Sequence, residues 1–424
     1  MNVLVTGLFE VATVFAIRRF AQLGYDVAAA DGHRLAFSMY SRDVRRRVRL
    51  PNMRKSPAAY AEALIRELER RRYDYYYPGY EEIILLAHHQ DRIKQLTQTT
   101  LPDLETIMQL HDKAQLARLA KKVGVPTPET FAPSTAEEAR DIIAGIDYPV
   151  LIKQRQSSGA SGMRRLEGRK QIEDWYFHLV SINHTSQENL PIIQRIIDGK
   201  TICTLELARQ GNVVGEVLIQ TLRSHPREEG SSVFRESIRH AASEEAAAKI
   251  LKELRFSGLC GFDFVIEKDS GIPYLVDGNP RQTPSLNLAY HGGCDMIGAW
   301  LEIASGKTPD QLGICREGVR TKTQFGDFVW LLESYMGSFK DWSGERALRK
   351  AWWADKDFKY DITSARDPMP LVVLWIYILT NVYKLALTSF DPTQLLMYHN
   401  MYVENGTFAS VDQVSKAAID SDAS

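Results

Sequence analysis

Cysteine is scarce in this sequence, and neither sign of charge is in surplus. Four cysteines, Cys203, Cys260, Cys294 and Cys315, are scattered through 424 residues without a C-x-x-C pair. That spacing argues against a disulfide framework or a zinc ribbon, and for a reducing, cytoplasmic setting. With 52 Lys and Arg against 53 Asp and Glu, the net charge is −1. Such a balance lacks the field of a general nucleic-acid binder. Long apolar runs are missing too. The strongest, from Met369 to Leu387, is continuously apolar only over Pro370–Leu379. A run that short predicts a buried or interfacial helix and not a membrane span; it leaves peripheral membrane contact through 369–387 open. The start, MNVLVTG, has no basic segment and no long apolar core, so no secretory signal is expected. The phosphate-loop pattern G-x-x-x-x-G-K-[ST] is absent. Thr6-Gly7 is followed by LFEVA, where a dinucleotide fingerprint requires further glycines.

What is present is an ordinary globular composition, 44% hydrophobic and 25% charged. At roughly 150 residues per domain the length allows two to four domains. Residues 1–102 alternate strands with amphipathic helices: a strand at Val3–Val5, a helix over Ala12–Leu23, a strand at Asp26–Ala30, a helix over Pro57–Arg72 and a strand at Asp74–Tyr77. That alternation predicts a parallel α/β sheet. From Asp103 the texture changes. A helix over Asp112–Val123 is closed by Gly124, Ser134-Thr-Ala-Glu137 reads as a capping box, and Tyr148–Lys153 is a strand. Ile192–Ile197, Thr201–Leu207 and Val213–Leu222 predict an antiparallel sheet, followed by a helix over Glu244–Leu254 and a hairpin from Phe262 to Asp277. Residues 306–424 are an aromatic-rich extension whose polar tail, 411–424, has the composition of a disordered segment.

The hairpin carries the most chemistry. If Glu267 faces Pro273 across a five-residue loop, Asp263 falls opposite Asp277, and Phe262, Phe264 and Val276 take the other face. Two carboxylates about 5 Å apart repel unless something positive lies between them. Asn279 adds an amide oxygen on the same side, and such hard donors suit Mg²⁺ bridging phosphate oxygens better than zinc. Arg281 adds a fork for phosphate or carboxylate. The bland alternative is an exposed, solvated hairpin.

Upstream, Lys153 ends an apolar strand and is followed by a small-residue loop with Ser157, Ser158, Gly159, Ala160, Ser161 and Gly162, flanked by Arg155, Arg164 and Arg165. Small residues let backbone N–H groups approach phosphate oxygens, although a flexible surface loop looks the same. His88-His89 has no partner at metal-ligand spacing, and Tyr75-Tyr76-Tyr77 reads as partly core.

Taken in order, Asp112-Lys113, YPVLIK (148–153), the Gly/Ser loop, IIQRIIDGK (192–200), GFDF (261–264) and LVDGNPR (275–281) resemble the ATP-grasp superfamily over approximately residues 1–305. The resemblance implies a parallel α/β pre-ATP-grasp domain (1–102) and an ATP-grasp domain (103–305), with a small lid at approximately 128–196 and an antiparallel-sheet core. The C-terminal extension (306–424) follows. It also implies roles. Lys113 and Lys153 match the lysines on the ATP phosphates, and Ser157, Ser158, Gly159, Ser161 and Gly162 the loop closing over them. Gln194 matches the reader of the adenine amino group, and Arg195 and Ile197 the hinge whose backbone meets the adenine edge; as a side chain Ile197 is expected in the core. Glu206 matches a ribose contact. Asp263, Asp277 and Asn279 match the ligands of two Mg²⁺ ions, with Mn²⁺ as a substitute, and Arg281 matches the arginine steadying the transferred phosphoryl group. Two departures stand out: both metal carboxylates are Asp where Glu is commoner, and Gln194 replaces a frequent Glu.

The activity implied is an ATP-dependent ligase joining a carboxylate to an amine through an acyl phosphate, with small-molecule partners and an oligomer allowed. The segment Arg366-Asp-Pro-Met-Pro370 and the apolar run after it are similar to stand-alone ligases of secondary metabolism. Among these is the mycosporine type, which activates an enolic hydroxyl. Rival readings are a nucleotide-binding interaction protein without turnover, a biotin-dependent carboxylase (for which no A-M-K-M segment is present), and an NAD-dependent oxidoreductase built on residues 1–102. Tyr80-Glu81-Glu82, His225–Arg235 and residues 283–292 are candidates for the acid and amine pockets.

Overall fold

A computed structural model describes residues 1–53, 55–156, 163–182, 189–225, 227, 230–337 and 342–388. The chain opens with β1 (Asn2–Val5), α1 (Val11–Gln22), β2 (Asp26–Asp31), β3 (Val44–Arg49), α2 (Pro57–Arg70), β4 (Tyr75–Tyr77), α3 (Glu82–Ala87) and α4 (Gln90–Leu96). The four strands form one parallel sheet in the order β3-β2-β1-β4. Alternation along β1 sends Val3 and Val5 into a core with Phe15, Ile17 and Phe20 of α1, and Leu4 into a second core with Tyr60, Leu64 and Leu68 of α2. Both faces are covered, as a parallel sheet requires. The edge strand β3 reads VRRRVR, and its arginines hid it from an apolar-run reading. Gly7, at φ 68°, marks a close approach: a Cβ there would fall 2.7 Å from the Gly79 carbonyl carbon.

Next come α5 (Leu104–His111), α6 (Lys113–Lys122), β5 (Thr130–Phe131), α7 (Ala136–Gly145), β6 (Val150–Lys153), β7 (Arg164–Leu166), α8 (Arg169–Ile182) and β8 (Ile192–Arg195). Their strands make a small antiparallel sheet, β5-β8-β6-β7. The capping box sits one residue later than the sequence suggested: Thr135 accepts from the Glu138 N–H, and the Glu138 carboxylate accepts from the Ser134 N–H.

The large sheet is built from β9 (Gly199–Arg209), β10 (Asn212–His225), β11 (Ser231–Ile238), then after α9 (Ala241–Glu253) from β12 (Gly258–Glu267) and β13 (Pro273–Asn279). Beyond α10 (Leu286–His291) and α11 (Met296–Ala304) it gains β14 (Gly313–Ile314) and β15 (Arg320–Lys322). After α12 (Gln324–Gly337) and α13 (Trp342–Ala354) comes β16 (Phe358–Tyr360), and α14 (Met369–Thr388) follows. The order is β13-β12-β9-β10-β11-β15-β16, with β14 beside β10. β15 and β16 therefore belong to the same sheet as the hairpin, and a boundary drawn at 306 falls inside its strand order. Among the described residues no helix is long and apolar enough to cross a membrane. The polar tail 411–424 lies outside the described residues.

Candidate active site

The carboxylate pair forms, but by another register than the sequence suggested. Ile266, not Glu267, pairs with Pro273, and a bulge then restores Asp263 opposite Asp277 and Gly261 opposite Asn279. The extra residue is Val276. Leu275 takes the core place expected for it, packing with Phe262 and Phe264 while Val276 is left half-buried. Asp263, Asp277 and Asn279 consequently share one face of the sheet.

Glu206 does not join them. On β9, Cys203 pairs with Asp263 and Glu206 with Cys260, so the two β9 side chains point to opposite faces. Glu206 is fully buried on the far face, where burial raises its pKa well above the carboxylate range. The ribose role is a misalignment.

Around this half-buried pair stand two buried lysines. Burial, then Asp277, pushes Asp263 up to about 6. Lys113 Nζ lies 3.3 Å from Asp277 Oδ1. It opens α6, whose N-cap Asp112 accepts from the N–H groups of Ala114 and Gln115. Asp112 also holds Arg155 Nε at 2.9 Å, so that arginine buttresses the helix start and is not offered to a phosphate. Lys153 is 6% exposed. Burial lowers its pKa to about 8; Lys113 adds to that fall, and Asp277 and Asp263 oppose it.

The small sheet explains how Lys153 and Gln194 meet the same cleft. Leu151 pairs with Gln194 and Lys153 with Ile192, so these four side chains share a face. Val150, Ile152 and Ile193 fill the core on the other. Gln194 Nε2 donates to Thr130 Oγ1 at 2.8 Å, and Thr130 donates its own proton to the Pro128 carbonyl. That fixes the amide orientation and leaves the buried Gln194 Oε1 without a partner. An adenine amino group is a donor of the kind it lacks. The hinge is only partly as expected. The Arg195 N–H donates to the Glu129 carbonyl, and its side chain pairs with Glu129 and Asp147. Ile197 is half-buried and outside the core. Arg164 stacks on Trp175 and Arg165 pairs with Glu167. Ser157, Ser158, Gly159, Ser161 and Gly162 lie outside the described residues.

Arg281 follows the hairpin and is gripped by the N-terminal sheet. Its guanidinium carbon lies 4.3 Å from the Tyr80 ring centroid, and Nη2 is 3.3 Å from Glu81. Burial alone would lower its pKa; Tyr80, Glu81, Glu10 and Asp277 together raise it instead. Beside it, Gln282 donates to the Gly79 carbonyl and Thr13 and accepts from the Tyr77 hydroxyl, fastening the loop after β13 to the first turn of α1 and to the end of β4 with the loop that follows it. His111, at the end of α5, is near enough to feel Glu81, Lys113, Asp277 and Arg281, and burial lowers its pKa. In the sequence Glu81 stands out only as a pocket candidate, and Glu10 and His111 not at all, because no motif surrounds them. The His225–Arg235 candidate differs: among its described residues His225 lies against Glu333 of α12 and Arg227 against Glu345 of α13.

The donor set suits a hard cation. Among the described residues no group of three or more His, Cys, Asp or Glu could hold a metal. Two carboxylates and an amide leave coordination to be completed by phosphate oxygens and water, as Mg²⁺ prefers.

Over residues 112–312 the chain matches the family described as carbamoyl-phosphate synthase L chain, ATP binding domain. A curated relative, the C-terminal section of the carbamoyl phosphate synthase large chain of Methanopyrus kandleri, is 29% identical over 189 residues, 42% of this chain and 34% of that one. The chain thus matches about a third of that relative's length. Among solved structures, a biotin carboxylase from Campylobacter jejuni in a β,γ-ATP complex superposes with a TM-score of 0.62 at 21% identity, covering 75% of this chain and 74% of that one. An L-amino acid ligase from Bacillus licheniformis gives 0.54 at 17% identity, covering 72% and 73%.

Proposed function

We propose that this chain, whose residues 112–312 match an ATP-binding domain family and whose fold is that of the ATP-grasp structures it superposes on, is a Mg²⁺-dependent ligase forming an amide between a carboxylate and an amine. The observation that carries this reading is the half-buried Asp263–Asp277 pair faced by the buried lysines Lys113 and Lys153, with Arg281 at its edge. A polyanion bridged by divalent cations satisfies those charges together.

In this reading the small sheet is a lid, and Gln194 Oε1 accepts from the adenine amino group while the open chain at 196–197 borders the base. Lys113 and Lys153 hold phosphate oxygens. Asp263, Asp277 and Asn279 hold the metal, which when bound neutralises charge as the γ-phosphoryl leaves ADP. A substrate carboxylate oxygen attacks the γ-phosphorus, the bond to ADP breaks, and an acyl phosphate forms. The amine nitrogen then attacks the acyl carbon, phosphate departs, and the amine gives up a proton. Arg281, oriented by Glu81 and Tyr80, points its fork at the oxygens of the transferred group. The lid excludes water that would hydrolyse the acyl phosphate.

The test is to incubate the full chain with ATP, Mg²⁺ and pairs of acids and amines, following ADP and product mass. An ¹⁸O-labelled carboxylate should pass one labelled oxygen to phosphate. Label passing instead from an enolic hydroxyl identifies the mycosporine-type reaction. ATP binding with no ADP from any pair would leave a nucleotide-binding protein without turnover.

A further inference from the structure

Exposed apolar side chains are concentrated in one part of this molecule. Of the sixteen large hydrophobic residues exposed among the described residues, ten lie between Phe328 and Leu379. On α12 the outward positions are Phe328, Leu332 and Tyr335; on α14 they include Val372, Ile376 and Leu379. Both sets follow helical spacing, and Phe328 meets Trp375 at 5.9 Å between ring centroids, so the two stripes adjoin. The inward stripe of α14, with Val373, Leu374, Tyr377 and Ile378, is already packed against Val14 and Phe37. The outward stripe is thus a second apolar face. A continuous patch of this kind marks an interaction surface.

Charge decides what covers it. Within residues 324–380 five basic side chains are exposed, Arg346, Lys350, Lys356, Lys359 and Arg366, against one acidic side chain, Asp357, among the described residues. The other described acids there are drawn inward by basic residues. Asp327 and Asp355 meet Arg223 and Lys322, Glu333 and Glu345 meet Arg227, Asp361 meets Arg235, and Asp367 meets Arg18. The chain as a whole is nearly neutral, so the basic excess is local to this segment; Arg346 and Lys350 stand on α13, which packs against α12, and Arg366 lies three residues before α14, which places these three beside the stripes as a basic fringe. A second copy docked face to face would set the basic fringe against itself. A bilayer surface with anionic headgroups supplies both acyl chains for the stripes and negative charge for the fringe. Trp353, 70% exposed at the end of α13, is of the type that settles at such a boundary.

We propose that the outward faces of α12 and α14, with the basic residues around them, form a peripheral docking surface for an anionic phospholipid bilayer. No described helix is both long and apolar enough to cross a membrane, so the proposed attachment is peripheral and leaves the ATP site in the aqueous phase. The inference does not depend on the ligase reading.

Flotation of the full chain with vesicles tests it. Vesicles of phosphatidylcholine mixed with phosphatidylserine should carry the protein upward, and phosphatidylcholine alone should carry far less. Ile376→Gln with Leu379→Gln should abolish flotation while leaving the thermal melt in place. Arg346→Glu with Lys350→Glu should weaken it by about tenfold or more, as should high salt. Absence of flotation with the mixed vesicles, or flotation unchanged in the Ile376/Leu379 variant, overturns the proposal. So does light scattering that shows a dimer dissolved by that same variant, because the face would then belong to a second copy.

Discussion

Two clusters of buried charge lie on the same large sheet and are built in opposite ways. Near β15, Arg223 lies 2.6 Å from Asp327 and 2.5 Å from Asp355, while Lys322 is 2.7 Å from Asp355 and 3.5 Å from Asp327. Trp352 Nε1 donates to Asp327, and both cations stack on Phe234. Two cations answer two anions at close range. At β12–β13, by contrast, two aspartates face each other with one short ion pair between them and the lysines, and Asp263 and Lys153 are both displaced from their ordinary pKa values by burial. The first cluster is complete within the chain and fastens the C-terminal helices to the sheet. The second sets two carboxylates directly against each other, and strongly shifted groups in a cleft are a sign of function.

Removing an acid should therefore act differently in each. Asp277→Asn is expected to lower ADP release at least about a thousandfold, since it removes a metal donor and the Lys113 partner at once. The melting temperature should hold or rise, because repulsion with Asp263 is relieved. Asp327→Ala should do the reverse. Leaving Arg223 and Lys322 with one acid, and the Trp352 N–H unpaired, should cost about 3 kcal/mol of stability by denaturant titration. Turnover per folded molecule should stay within about twofold. A large activity loss in the second variant, with stability intact, would erase the distinction.

The contrast also explains what the sequence could reveal. The Asp263–Asp277 pairing was visible because strand alternation and a short loop constrain it, although the bulge at Val276 was not. An apolar strand interrupted by one lysine marked Lys153. The completed cluster left no trace: Arg223, Lys322, Asp327 and Asp355 come from separate elements, and their charges looked like solvated ones. Glu206 was misplaced for a related reason. Counting along β9 could not say which face met the hairpin until Cys203 was paired with Asp263. Glu10 and Glu81 come near Arg281 from the segments after β1 and β4, and His111 from the end of α5, so only tertiary packing brings them together.

A third buried carboxylate separates burial from ligand binding. Glu82 accepts from the Thr6 hydroxyl at 2.6 Å and the Gly79 N–H at 2.9 Å, and burial raises its pKa from near 4.5 to about 7. A carboxyl raised on folding contributes stability that is fully present below about pH 4.5 and is lost as pH rises through about 7. Glu82→Gln keeps an acceptor and removes the titration. Thermal melts should match wild type near the acid end and exceed it above neutrality, by on the order of 2 kcal/mol. Asp31, raised to about 6, keeps its own slope in both proteins. Turnover should be unaffected, in contrast with Asp277→Asn.

The smallest effect is expected at Gln194, and it tests whether one missing partner marks a ligand contact. Thr130 fixes the amide so that its oxygen is the unpaired atom. If an adenine amino group completes it, Gln194→Leu removes one neutral hydrogen bond, worth about 1 kcal/mol. The KM for ATP should then rise by roughly fivefold to tenfold with kcat little changed, and the preference for ATP over GTP should narrow. The structural alternative makes the opposite prediction. If the oxygen is merely a buried defect, leucine removes an unsatisfied acceptor, so the protein is stabilised and the nucleotide constants do not move. Measuring both the melting temperature and the nucleotide preference of this one variant separates a defect of the fold from a contact that awaits its ligand.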